Sequence, residues 1–86
     1  MNGRALLAWN LRRLRVGRSI SQERLAADAG VDRAYLGGLE RQVENPTVDL
    51  LDRLATALNV DVQEFFQVPE PGAVPPATLR SGRKPK

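Results

Sequence analysis

Six arginines, Arg4, Arg12, Arg13, Arg15, Arg18 and Arg24, stand against Glu23 alone in the first 24 residues, a local net charge of +5. Residues 25–68 reverse the sign, with Arg33, Arg41 and Arg53 set against eight carboxylates, a net charge of −5. Such polarity points to one face built for an anionic partner, nucleic acid first among them. Mixed-charge, solvated helix surface accounts for the same pattern, so charge alone leaves both readings open. Other chemistry finds no residues. The chain has no Cys and no His, which removes disulfides, thiolate nucleophiles and the two commonest transition-metal ligands. Asp49 and Asp52 are three apart in an apolar-periodic segment, the spacing of a solvated helix face rather than a carboxylate dyad, and no base or nucleophile accompanies them. No Gly-rich phosphate loop follows a strand. The expectation is a protein that is not an enzyme and takes no metal, cofactor or small-molecule ligand.

The elements that must position these side chains fit in one small domain, since the chain is 86 residues long. Its longest uncharged stretch, Pro71 to Leu79, is nine residues with three prolines, far short of the roughly 18 apolar residues of a spanning helix. The apolar run Ala5 to Leu11 meets Arg12 and Arg13 directly and lacks a small-residue cleavage site, so no signal peptide is expected. The default localisation is cytoplasmic. Composition changes after Val68: residues 69–86 hold five of the six prolines, together with Arg80, Arg83, Lys84 and Lys86. The division predicted is a folded domain over 1–68 and a disordered, basic tail over 69–86.

Within 1–68 the apolar residues recur at helical spacing, and no alternating β-branched run occurs, so the domain reads as all-α with five helices. Leu7, Leu11 and Leu14 form the stripe of a first helix from about Arg4 to Gly17. Ser21 is placed to cap the second, with Leu25, Ala26 and Ala29 inward and Gly30 at its end. Asp32 caps a third, with Leu36 and Leu39 inward. Thr47 opens a fourth, striped by Leu50, Leu51, Leu54 and Leu58. Asp61 and Glu64 have the spacing of a capping box for a short fifth helix ending at Phe65 and Phe66.

Two short helices joined at Ala29-Gly30-Val31 have the layout of a helix-turn-helix. Gly30 falls where the chain must turn left-handed, a conformation that costs a residue with a Cβ roughly 1 kcal/mol or more. Helical hairpins of this kind also occur in proteins that bind no nucleic acid. The longer string from Ile20 to Phe66, however, with Arg15, Gln22, Glu40-Arg41, Asn45-Pro46 and a leucine-rich fourth helix, resembles the lambda-repressor-like helix-turn-helix family. VDRAYLGGLER is most similar to the small controller proteins of restriction-modification operons and like stand-alone bacterial regulators. The resemblance implies a five-helix DNA-binding domain that works as a homodimer.

Carried over position by position, the resemblance makes Gln22 a phosphate clamp at a helix N-terminus, where free N–H groups also favour an anion. It sets Arg33, Ala34, Tyr35, Gly37 and Gly38 on the base-reading side of a recognition helix over about 32–41. Arg33 is the strong reader among them, because its fork fits guanine O6 and N7 together. Tyr35 either donates its hydroxyl to a phosphate or base, or packs its ring on the domain surface. Arg41, Asn45 and Arg12 are expected phosphate contacts, Arg13 and Arg18 adding to the same face or merely solvated. Arg15 and Glu40 match a pair that bridges helix one to the end of the recognition helix. Several residues depart from the family pattern: Ser19 and Gln42 stand at positions where glycine is usual, and Glu44 replaces a position often cationic in controller proteins. Gly37-Gly38 weakens the recognition helix by up to ~1 kcal/mol per glycine.

A homodimeric, sequence-specific regulator on a palindromic duplex is the function these readings predict. A domain of this size gains only ~3 to 5 kcal/mol from its own core, so a partner covering Val62, Phe65 and Phe66 would add stability; packing of the same three residues in the domain's own core is the alternative. The rival is a protein-interaction module, an antiactivator or antitoxin that uses the same fold to dock another protein.

Overall fold

The computed structural model describes residues 1–74. Among them each α-helix opens on a side chain that accepts a hydrogen bond from the backbone N–H three residues on, satisfying one of the orphan donors of the first turn. Asn2 caps α1 (Gly3–Gly17) through Ala5 N at 2.9 Å, and Ser21 caps α2 (Gln22–Ala29) through Arg24 N at 3.0 Å. Asp32 caps α3 (Arg33–Glu40) and Thr47 caps α4 (Val48–Leu58), each at 3.1 Å. The Ser, Asp and Thr caps sit where the sequence places them. The helices close alike. At each end one residue turns left-handed and the next N–H reaches back five residues: Ser19 with Ile20 N→Arg15 O, Gly30 with Val31 N→Ala26 O, Gln42 with Val43 N→Gly38 O, and Asn59 with Val60 N→Ala55 O. These closures satisfy the last carbonyls and turn the chain sharply between helices. Only one of the four uses glycine.

The leucine stripes meet in a single core. Leu7, Leu11 and Leu14 of α1, Leu25, Ala26 and Ala29 of α2, Leu36 and Leu39 of α3, and Leu51, Leu54, Ala55 and Leu58 of α4 are buried together, with Leu50 half-buried beside them. α3 lies between α1 and α2, so its position is set from two sides. No strand occurs among the described residues, and no helix there is long and apolar enough to cross a membrane.

One expectation needs correction. The fifth helix is a 3₁₀ helix, Val62–Phe66, and Asp61 makes no side-chain cap. The box fails because Glu64, which would complete it, has its carboxylate turned to Arg13 Nη2 at 3.4 Å; five residues cannot recruit enough further bonds to stay α-helical. Of the segment 69–86 the structure describes only residues 69–74, where Pro71 and Gly72 form a turn in which Ala73 N donates to Glu70 O at 3.0 Å. Residues 75–86, with Arg80, Arg83, Lys84 and Lys86, lie outside the described residues.

Gln42 is exposed at φ +66°. Gln42→Gly removes the left-handed penalty at the cost of some unfolded-state entropy, for an expected gain of roughly 0.5 to 1 kcal/mol. Thermal unfolding checks it, and an unchanged or lowered midpoint contradicts a strained closure.

Candidate nucleic-acid interface

The side of α3 opposite the buried Leu36 and Leu39 carries exposed Arg33 and Ala34, then Gly37 and Gly38, in phase with exposed Arg41 just past the helix end. What holds that face in place is an ion pair below it. Arg15 donates from Nε to Glu40 Oε2 at 2.7 Å and from Nη2 to Glu40 Oε1 at 2.9 Å, both side chains only 1% exposed. Its third nitrogen, Nη1, donates to Ile20 O at 2.9 Å. One guanidinium therefore ties the end of α1, the approach to α2 and the last turn of α3. Glu40 also accepts from Gln22 Nε2 at 3.1 Å and lies 3.6 Å from Arg12 Nε. No buried side-chain nitrogen or oxygen among the described residues lacks a partner.

The arginines of the basic N-terminal stretch are largely engaged with carboxylates further along the chain. Arg12 and Arg15 meet Glu40, Arg13 meets Glu64, and Arg24 donates to Asp28 at 3.0 Å. Arg18, just past the end of α1, donates to Leu14 O. The sign reversal along the sequence is thus partly internal: four arginines of the basic segment meet three carboxylates of the acidic one, Asp28, Glu40 and Glu64, inside a single domain. Arg13 packs against the 3₁₀ helix, away from α3. Arg33 and Arg41, by contrast, are exposed and form no ion pair among the described residues.

The remaining candidate residues divide. Ala34 and Asn45 are exposed, while Tyr35 is half-buried with its ring against the core. Gly37 and Gly38 are buried rather than open to solvent, because neighbouring side chains fold over them. A Cβ at Gly37 would meet Arg41 Nη1 at 3.1 Å and Gln22 Oε1 at 3.7 Å; one at Gly38 would meet Glu44 Cγ at 2.6 Å. The two glycines form a floor for other residues' side chains. Phe65 is fully buried in the core at 0% exposure and cannot serve as a partner surface; its truncation would cost roughly 3 to 5 kcal/mol of folding stability. Val62 is half-buried against the core, and Phe66 remains 43% exposed beside exposed Val68. No group of acidic residues among the described residues could hold a metal ion.

Against known proteins, the helix-turn-helix family model HTH_3 matches residues 11–65. The chain belongs to the helix-turn-helix family. A hypothetical transcription factor of Neisseria meningitidis serogroup B is 37% identical over 78% of this chain, which spans only 63% of that factor's length. The restriction-modification controller protein C.AhdI of Aeromonas hydrophila superposes with a TM-score of 0.71 at 40% identity, over 73% of this chain and 96% of C.AhdI. The controller protein C.Esp1396I, solved as a tetramer in complex with its natural 35 base-pair operator, superposes with a TM-score of 0.70 at 27% identity, over 77% of this chain and 87% of that one. These relatives are regulators, not enzymes.

In this helix-turn-helix protein two positioning residues escape a reading by motif. Asn10 is 1% exposed, and its Nδ2 donates to Leu6 O, Phe65 O and Gln67 O at 2.8–3.0 Å, fastening the 3₁₀ helix and the segment after it to α1. The available signal is a lone amide three residues after Leu7, inside an otherwise apolar stripe. Glu44 over Gly38 is the second, signalled by a glycine where the helix would prefer alanine.

Removing one member of a fully buried ion pair leaves the other charge stranded. Arg15→Ala and Glu40→Ala should each lose roughly 3 to 5 kcal/mol, a large fraction of a small domain's stability. Chemical denaturation measures this, and a variant unfolding at the wild-type midpoint would show that the pair holds nothing together.

Proposed function

We propose that the protein is a sequence-specific, double-stranded DNA-binding transcriptional regulator that inserts α3 into the major groove of a palindromic operator as a homodimer. The observation that carries this is the outward side of α3: exposed Arg33 at its start and exposed Arg41 just past its end, neither in an ion pair among the described residues, with Gly37 and Gly38 between them as a floor under neighbouring side chains. A major groove of roughly 12 Å admits a helix, and the side chains of Arg41, Gln22 and Glu44 that lie over Gly37 and Gly38 are the groups this side of α3 would bring to it. Arg33, at the first turn of α3, reads guanine with both nitrogens of its fork. A cation there is unfavourable toward the helix dipole unless an anion or a base acceptor faces it.

Gln22, Arg12, Arg41 and Asn45 flank that face as phosphate contacts. Gln22 is at the first position of α2, where the helix N-terminus favours an anion; one of its amide hydrogens is engaged by Glu40, which leaves the second to donate outward. Family membership and a related controller solved on its operator support the reading. Two copies meeting through Phe66 and Val62 read both half-sites only if their recognition helices lie roughly 34 to 36 Å apart, one turn of duplex. A DNA partner places the protein in the cytoplasm of a bacterial cell.

Arg33→Ala should weaken binding to the selected operator by ~1 to 3 kcal/mol and leave weak binding to random duplex nearly unchanged. Titrations of both duplexes at several salt concentrations test this together with the function itself. Affinity should fall steeply as salt rises, because neutralised phosphates release counterions. Equal losses on both duplexes would make Arg33 a phosphate contact. Absence of salt-dependent duplex binding would favour a protein-docking module.

A further inference from the structure

Glu44 is an acidic side chain lying on the face that the DNA-binding reading gives to the groove. It is half-buried, and among the described residues it makes no hydrogen bond or ion pair. Its position is not that of a free loop residue. Glu44 Cγ, Oε2 and Cδ lie 2.6, 3.0 and 3.3 Å from where a Cβ of residue 38 would stand, so the carboxylate is seated on the middle of α3 and only a glycine at 38 leaves room for it. Beside it, Arg41 Nη1 occupies the equivalent place over Gly37 at 3.1 Å. A cation and an anion thus rest on adjacent glycines of one helix face without pairing to each other.

A carboxylate turned toward a polyanion is unfavourable unless it meets a hydrogen-bond donor. An ionised carboxylate can only accept. In the major groove guanine presents O6 and N7 and thymine presents O4, all acceptors; adenine sets its amino group beside the acceptor N7. Cytosine presents the N4 amino group alone. Resting on the DNA-binding reading above, we propose that Glu44 is a specificity-determining residue that accepts a hydrogen bond from cytosine N4, with Gly38 as its seat. Arg41 alongside supplies donors for the acceptors of guanine, so the two side chains together complement the major-groove edge of G·C pairs. The floor of two glycines has its reason here: it brings both probes down to the helix surface.

Selection of bound duplexes from a randomised library, run with wild type, Glu44→Ala and Gly38→Ala, decides the matter. Wild type should enrich cytosine at one position of each half-site. Glu44→Ala should reduce that preference by about tenfold or more and leave the other positions as they were. Gly38→Ala, which forces the carboxylate off its seat while favouring the helix, should relax the same position. A uniform rise in affinity with every preference unchanged would overturn the proposal and make Glu44 a mere repulsive charge. Relaxation at an adenine, or of different positions in the two variants, would overturn it as well. Bound duplexes with unaltered preferences sink this inference alone, whereas a wild type that binds no duplex sinks the DNA-binding reading and this inference with it.

Discussion

The orientation of α3 depends on the Arg15–Glu40 pair. Three helices of eight to fifteen residues are too short to hold their own angles by propensity, and leucine packing alone tolerates small rotations. The bidentate fork does not: two parallel bonds at 2.7 and 2.9 Å fix the last turn of α3 against α1 in both distance and plane. Burying both charges costs desolvation energy, and the geometry offsets it by engaging all three guanidinium nitrogens and both carboxylate oxygens. Position and cost are therefore inseparable. A hydrophobic pair of similar volume could fill the space, but it would not aim Gln22, which is held by the same Glu40 oxygen.

Above that pair, the outward face is built from side chains that come from elsewhere. Arg41 follows α3, Glu44 belongs to the loop beyond it, and Gln22 comes from α2; all three converge over Gly37 and Gly38. Glycine in a helix interior is locally unfavourable, and here the loss creates room for longer side chains to lie flat. Electrostatics follow the same division. Most α1 arginines are matched to Glu40 and Glu64 within the domain, while Arg33 and Arg41, like Arg4, Arg18 and Arg53, are exposed and form no ion pair among the described residues.

Much of this was legible in the sequence because it depends on local rules. Ser21, Asp32 and Thr47 announce helix starts through their own side chains, Gly30 announces a left-handed turn, and the leucine stripes state which faces are buried. Ser19 and Gln42 were readable as left-handed only by comparison with a family where glycine is usual there. What escaped depends on distant partners. Glu64 has the spacing of a capping residue, yet Arg13, 51 positions away, claims its carboxylate and the predicted α-helix becomes 3₁₀. Phe65 and Phe66 are neighbours of the same type, and only the packing against α1 decides that one is core and the other is surface. The charge polarity was visible as a number, whereas its internal pairing required coordinates. Gly37 and Gly38 looked exposed by helix phase, and the residues that cover them lie outside the helix.

A duplex held as proposed touches the outward side of α3, the start of α2 and the loop after Glu40. Backbone amide resonances recorded during titration with a selected duplex report that contact residue by residue. The expected shifts concentrate at Ser21–Gln22, Asp32–Gly38 and Arg41–Asn45, with the 3₁₀ helix responding only through self-association in the absence of DNA. Shifts centred on α4, or on the surface around Val62 and Phe66 with α3 silent, would contradict it.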